Sequence, residues 1–532
     1  GTLSGSLLST GTPTLGLGVT INSSGLVISG VATAGIVSAT TLYGDGTNLT
    51  GVGATISPVI YNPDVYDRTV TLGTGIGFTF NQQIKAGSGD INLRLVSAGG
   101  TIVQAFGVGS SVTISENKLE FTPTSDLSED TIYFVDIPGS AITNNVGTAY
   151  VGTGFTFQSK YTLNSLYGWG RNVGGAVGAN SATPVYYSSP VQVPGTTWKT
   201  LGSKPGYTSY ASLASKTDGS LWIWGINSYG QLGENSTVHR SSPVQLPGTT
   251  WGTTYSTMSS GYQAVYNVKT NGTFWSWGYN YSGELGHNNR TYRSSPTQVG
   301  SDTTWAKAYG GFNCAMAIKT DNTLWVWGTN QHGQLGINQP HGYMTSSPTQ
   351  VPGTWTRMAC GYLTNYGIKT DGTMWSWGSG SYGKLGNNTG GTPARRSSPV
   401  QIPGTNWSYV KGGYYGAMAT KTDGTLWVWG GNDRGQVGDN TAVQRSSPTQ
   451  VGSSTDWDGS AIGKLGGGGS PGCFGAVKTD GTLWAWGSNT DGGLGQNNRT
   501  GYSSPVQIPG TWNSLTGPLG RSGFHSLKSI DY

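Results

Sequence analysis

"DGTLWVWGGNDRGQVG", residues 423–438, sets two tryptophans one residue apart, follows them with glycine and ends in a second glycine-rich turn. Nearly the same words occur six more times: YGWG at 167–170, LWIWG at 221–225, FWSWG at 274–278, LWVWG at 324–328, MWSWG at 374–378 and LWAWG at 483–487. The W-G tryptophans are Trp169, Trp224, Trp277, Trp327, Trp377, Trp429 and Trp486, spaced 50 to 57 residues apart. A second ladder follows a short Gly/Thr turn: Trp198, Trp251, Trp305, Trp355, Trp407, Trp457 and Trp512. The two ladders, with the leading tryptophans of the six W-x-W-G words, account for all 20 in the chain. Tryptophan is a building material here, and a repeat of this period fixes the architecture before anything else.

One unit, from Trp305, reads "WAKAYGGFNCAMAIKTDNTLWVWGTNQHGQLG", then a loop, then "SSPTQV". It predicts four short strands, WAKAY, CAMAIKT, TLWVWG and SPTQV, which suits one four-stranded antiparallel propeller blade. The third is apolar on both sides, as a strand covered by neighbours on both faces must be. The K-T-D-G step is a tight turn whose glycine supplies the positive φ. The first unit begins at Tyr161 and lacks its leading half; the last, "WNSLTGPLGRSGFHSLKSIDY", stops before its own W-x-W-G. Each end carries the half the other lacks. Putting both in one blade closes a ring of seven and removes exposed sheet edges, whereas an open array needs capping repeats.

"DGSLWIWGINSYGQLG" at 218–233 resembles the repeat signature of the RCC1 (regulator of chromosome condensation) propeller family, and the likeness runs through residues 161–532. It implies the seven-bladed fold. It does not imply the family's nucleotide exchange on a small GTPase, which depends on a wedge inserted into one blade, and these units show no comparable insertion. Fold alone is weak evidence of function.

Two regions precede the repeats. Residues 55–158 contain "GFTFNQQI", "INLRLVSAGG", "SVTISENKLEFTPTSDL", "TIYFVDIPGSAI" and "GFTFQS", about seven strands that read as a β-sandwich. Phe78–Phe80, Leu119–Pro123, Tyr133 and Phe155–Phe157 carry a resemblance to the bacterial Ig-like domain of surface-layer and adhesin proteins, usually a spacer. Residues 1–54 hold one charge, Asp45, and one aromatic, Tyr43, with short strands such as "GVTIN" and "LVISG". So few large side chains cannot build an independent core. The segment lacks the high charge typical of disorder, so the expectation is a β-rich stalk or docking segment that pairs with other chains. "VSATTLYGDGTNLTG" at 37–51 resembles a short repeat in tail-fibre and other virion proteins of bacteriophages, especially those of marine cyanobacteria.

Composition narrows the chemistry. Only 10% of residues are charged, 89 are glycine, and the net charge of +5 is spread thinly, without the concentrated basic face that a nucleic-acid partner requires. No apolar run approaches a membrane span, and no signal peptide opens the chain. The three cysteines, Cys314, Cys360 and Cys473, are an odd count at distant positions and read as buried free thiols. None of the five histidines, His239, His287, His332, His341 and His525, stands at metal-ligand spacing, so neither metal nor cofactor is expected. "GSAIGKLG" at 459–466 departs from a P-loop because Leu465 stands where Ser or Thr should follow the lysine. The repeated Lys and Asp of K-T-D-G (Lys319 and Asp321, Lys369 and Asp371, Lys421 and Asp423) read as local turns with Asp bonding its own backbone.

The irregular part of each unit is the loop between the Q-L-G-like word and S-S-P. In an up-and-down blade this loop shares a face with the one after strand one, opposite the K-T-D-G turns. Candidate binding residues on that face are Arg240, Arg290, Tyr292, Arg293, His341, Tyr343, Arg395, Arg396, Arg445, Arg499 and Tyr502; Arg and Tyr are favoured recognition residues, and variable loops on a rigid scaffold carry binding. The alternative is polar loops facing water, with the Arg before S-S-P bonding a neighbouring blade. The sequence thus predicts an all-β, non-enzymatic protein exposed on a virion, a fibre or decoration. Residues 1–54 would join other virion proteins, in a homo-oligomer guessed to be a trimer, and the propeller would meet a host surface protein or glycan. A secreted or surface-anchored bacterial adhesin is the alternative.

Overall fold

The computed structural model describes residues 19–22, 25–28, 58–62, 75–95, 100–124, 132–145, 147–151, 154–158, 164–181, 186–204, 211–248, 250–388, 395–459, 463–467, 469, 472–517 and 523–529, almost all of them strand and turn. The chain divides into two compact units, Gly1–Tyr161 and Thr162–Tyr532.

In the first unit, Val19–Asn22 and Gly25–Ile28 form an antiparallel hairpin within the two stretches read as strands. The rest of residues 1–54, the fibre-like stretch 37–51 included, lies outside the described residues. The sandwich has one sheet of Pro58–Asn62, Ile76–Phe80, Lys118–Phe121 and Thr113–Ser115, and another of Phe155–Gln158, Ile132–Asp136, Asp90–Leu95 and Ile102–Gly107. With the short pair Ile84–Ala86 and Ile142–Asn144 this makes ten strands, three of them only three residues long. The alternating phenylalanines point inward: Phe78 meets Phe155 of the facing sheet edge-on at 4.8 Å, and Phe106 meets Phe121 at 4.4 Å.

The second unit is a closed ring of seven four-stranded blades. Tyr186–Leu201 and Met344–Cys360 each run from the outer strand of one blade into the inner strand of the next. The closing blade takes Ser514–Thr516 and Gly523–Ser529 from the C-terminal end and Asn164–Arg171 and the start of Tyr186–Leu201 from the N-terminal end. Asn164 pairs with Ser529 and the register holds to Gly170 opposite Gly523. The complementary half-units do share one blade.

The repeated words are explained at the blade boundaries. Each W-G indole is fully buried, and a buried N–H needs an acceptor. Each donates to a main-chain carbonyl in the preceding blade's G-x-L-G turn. Trp224 bonds Ala176, Trp277 Gln231, Trp327 Glu284, Trp377 Gln334, Trp429 Lys384 and Trp486 Gln436, and Trp169 closes the ring on Gly493, all at 2.7–3.1 Å. The turn must come very close: a Cβ on Gly336, where φ is +69°, would lie 2.8 Å from Trp377 Nε1. Two residues on, Asn338 donates its main-chain N–H to Ser397 of the next blade's S-S-P at 2.7 Å. The same Asn-to-Ser bond recurs at Asn180, Asn235, Asn288, Asn388, Asn440 and Asn497. At the axis the inner strands touch directly. Ser203 N–H bonds Met258 O at 2.8 Å, Gly310 N–H bonds Ser259 Oγ at 2.9 Å, and Thr516 Oγ1 bonds Gly202 O at 3.0 Å.

Candidate functional site

Antiparallel pairing throughout each blade puts the K-T-D-G turns on one face of the ring and the loops after strands one and three on the other. On the turn face every repeated charge has a structural task. Asp371 Oδ1 accepts from Thr373 N–H at 2.9 Å and Oγ1–H at 2.6 Å, and Thr373 Oγ1 accepts from Trp375 Nε1 at 2.9 Å. The Thr373 bonds hold the Asp371 carboxyl below its usual range. Lys369 Nζ lies 4.0 Å from the Trp375 ring and 5.2 Å from Trp355, and Lys216, Lys269, Lys319, Lys421 and Lys478 sit over the matching pairs. Such cation–π seats give each lysine a structural partner.

The loop face is different. In the hairpin after strand one, the residue following glycine is Tyr262, Phe312, Tyr362 and Tyr414 in blades two to five. Because the inner strands ring the axis, these residues, about 50 apart in sequence, become neighbours. Tyr262 meets Phe312 at 5.1 Å, Phe312 meets Tyr362 at 5.1 Å, and Tyr362 stacks on Tyr414 at 4.2 Å with planes 7° apart. The arc turns outward through Tyr415, 4.7 Å from Tyr414, to Tyr382, 5.1 Å further on and 52% exposed. At its other end the Tyr279 main-chain N–H bonds Gln263 O at 2.9 Å. There Tyr229, Tyr279 and Tyr292 form a mutual cluster at 4.8–5.6 Å, flanked by Tyr281, 61% exposed.

One substitution within the repeat shapes the outer end of the arc. Gln231, Gln334 and Gln436 each accept the main-chain N–H two residues earlier through Oε1, at 2.7–2.9 Å. Lys384 holds that position in blade four and cannot accept. Its Nζ donates instead to Tyr362 O at 2.7 Å, and Tyr382, two residues earlier, adopts φ +62°. A bulky residue in the left-handed region marks strain of the kind that gathers at functional sites. Burial pushes the Lys384 amine down to about 7. In blade two the same position is Glu284, whose Oε2 accepts from Ser282 N–H at 2.8 Å; burial pushes its carboxyl up to about 7.

The residues singled out from the sequence all reach the loop face, but they are spread one blade at a time around its outer part. Tyr292 joins the tyrosine cluster. Arg240 is taken by Glu234 at 2.7 Å and Arg445 by Asp439 at 2.6 Å, each within its own blade and six residues back. The residue after the last glycine of the G-x-L-G-like turn, Glu234 and Asp439 in those blades, is His287 before Arg293 and Asn387 before Arg396, so neither meets a carboxylate there. Arg395 reaches the Gln331 carbonyl of the preceding blade at 3.3 Å, and Arg499 lies 4.8 Å from the Tyr186 ring of the next. Tyr502 Oη accepts from Asn498 at 3.2 Å. Arg290, His341 and Tyr343 are exposed. The central arc was missed; its signal was the aromatic after the first-hairpin glycine, visible only when the units are aligned.

Other groups are structural. Cys314, Cys360 and Cys473 are buried and form no disulfide. Lys464, of the P-loop-like stretch, pairs with Asp458 at 3.0 Å, and Leu465 opens a strand. His525 is buried edge-on to Trp224 at 5.3 Å, and burial pushes its imidazole well below the ordinary value. Among the described residues no group of His, Cys, Asp and Glu is arranged to hold a metal ion.

Fold and loop face together define a propeller with a structural turn face and an irregular, aromatic-rich opposite face, preceded by an immunoglobulin-like sandwich. It is a β-propeller of RCC1 repeats behind a bacterial Ig-like domain. The regulator of chromosome condensation (RCC1) repeat matches residues 218–263, 271–318, 321–364, 371–420, 423–461 and 480–514, and the bacterial Ig-like domain matches 55–159. Yeast RCC1 (Prp20) superposes with a TM-score of 0.60 at 16% identity, over 70% of this chain and 90% of that one. Human WBSCR16 gives 0.57 at 19% identity, over 69% and 100%. These likenesses show the fold. The human E3 ubiquitin-protein ligase HERC2 is 27% identical over 167 residues, 31% of this chain and 3% of that protein.

Proposed function

We propose that this chain is a non-enzymatic binding protein displayed on a particle or cell surface, with the propeller as its recognition head and the Ig-like domain as a spacer. The aromatic arc from Tyr262 to Tyr382 carries the reading. Six neighbouring aromatic rings, five half-buried and Tyr382 exposed, offer large contact area at low conformational cost. The irregular loops around them supply Arg293, Arg396, His341 and Tyr343 as a polar rim. Two structural neighbours have protein partners: Kap60 is bound to yeast RCC1 (Prp20), and Prp20p binds Gsp1p and histones.

The displayed body is a virion in this proposal, with the chain a fibre or decoration, residues 1–54 joining it to other virion proteins and the propeller meeting a host surface protein or glycan. The likeness of residues 37–51 to phage fibre repeats favours this. The bacterial Ig-like domain equally suits a surface adhesin, and co-purification with virions or with cell envelopes separates the two. The test of the binding reading is retention of the full chain on intact bacterial cells and on immobilised envelope polysaccharides. Binding should be saturable and lost in a Tyr362→Ala/Tyr414→Ala double variant that melts as the parent does. Equal binding by the two proteins would overturn the assignment of the head.

A further inference from the structure

We propose that the axial channel of the propeller binds one monovalent anion of halide size between Lys204 and Lys411. Lys204 follows the inner strand of blade one; Lys411 lies in Trp407–Gly412, the inner strand of blade five. They meet across the axis, where Lys411 Nζ donates to the Lys204 carbonyl at 2.5 Å and to Tyr255 Oη at 3.1 Å. Lys204 Nζ donates to Ser212 Oγ at 2.8 Å, and Ser212 passes its own proton to Ala176 O at 3.0 Å. The two residues are only 2% and 6% exposed.

Both lysines line a cavity of about 30 Å³ together with Ser203, Tyr255, Ser259 and Tyr309. Among the described residues no carboxylate lines this cavity or the adjoining one, to which Arg357 and Tyr409 contribute. Arg357 and the nearby Lys307 donate to the Ser408 and Thr356 carbonyls of the neighbouring inner strands and add positive charge without balancing any. An ammonium has three donors, so Lys204 has two left and Lys411 one beyond the bonds above. Burying such charges without a counter-charge is unfavourable. Burial, reinforced by the field of Lys411, accordingly drives the Lys204 amine well below its ordinary value. An anion resolves both demands through short charge-assisted hydrogen bonds. The space exceeds the roughly 10–15 Å³ that one water needs, which suits a monatomic ion.

The test uses the full chain. Because all 20 tryptophans lie between residues 169 and 512, indole fluorescence reads the propeller alone. Melting is followed at constant ionic strength while gluconate is replaced by chloride. Chloride should raise the transition saturably, by about 2–6 °C, and the rise should vanish in Lys411→Met and Lys204→Met. If either variant fails to fold, the ³⁵Cl linewidth over the parent protein decides: it should broaden and be narrowed by competing bromide. A melting temperature indifferent to chloride, an equal response in Lys411→Met, or chloride lines left sharp by the parent would mean that the cavity holds water only.

Discussion

The two faces of the propeller are made by the same repeat, yet they use their distinctive residues in opposite ways. On the turn face the charged residues recur with the period of the fold, and each is consumed: Asp by its own turn, Lys by two tryptophan rings. On the loop face the aromatics of blades two to five vary in identity and end in the left-handed Tyr382. Regular recurrence marks what every blade needs in order to stand; departure from it marks what the ring as a whole does. The face that looks chemically richest in sequence is the structural one.

Four variants sharpen or break this contrast. Gly336→Ala should be the most damaging. It forces a side chain at φ +69° and drives a Cβ against Trp377 Nε1, which should cost about 2–4 kcal/mol in a denaturant melt. Glu284→Gln should work in the other direction. Burial raises the folded carboxyl to about 7 from its ordinary value of 4.5, so its contribution is fully present at acid pH and lost as pH climbs through that window. Glutamine, the residue of blades one, three and five, removes the penalty and still accepts from Ser282. The variant should be more stable than the parent by about 2–3 kcal/mol at pH 8 and equal to it near pH 4. A gain that did not depend on pH would sink this account.

Tyr362→Ala with Tyr414→Ala should lower affinity for the surface ligand at least tenfold, about 1.4 kcal/mol. Thr373→Val on the turn face deletes the oxygen that joins Asp371 to Trp375 and should cost about 1 kcal/mol of stability with binding untouched. If the turn-face change weakened binding while the tyrosine pair did not, the faces would have to be exchanged.

The ring was legible because its evidence is local: a word repeated every 50 or so residues and two incomplete ends that fit each other. The role of Asp371 was legible for the same reason, since the turn that uses it reaches only to Thr373, whereas the seat of Lys369 over Trp375 and Trp355 was not. The arginines before S-S-P were only half legible. Arg240 and Arg445 each have an acid six residues earlier, which announces their pairing, whereas Arg293 and Arg396 do not. The aromatic arc was not read, because Phe312 and Tyr362 touch only after their inner strands come together at the axis. The consequence of Lys384 was equally out of reach, for it depends on an acceptor that the other blades have and this one lacks.

The shared blade also sets an order on synthesis. Asn164–Arg171 can pair with Tyr186–Leu201 as soon as both leave the ribosome, but its other edge waits for Gly523–Ser529, at the far end of the chain. Six blades can therefore be assembled while the ring still has an unpaired border, and a nascent or truncated chain presents that border to any neighbour. The strand that completes the circle is translated after the six other blades, so a chain that stops before it keeps most of its hydrophobic packing and yet remains adhesive. Completion of the ring and avoidance of aggregation thereby become the same problem.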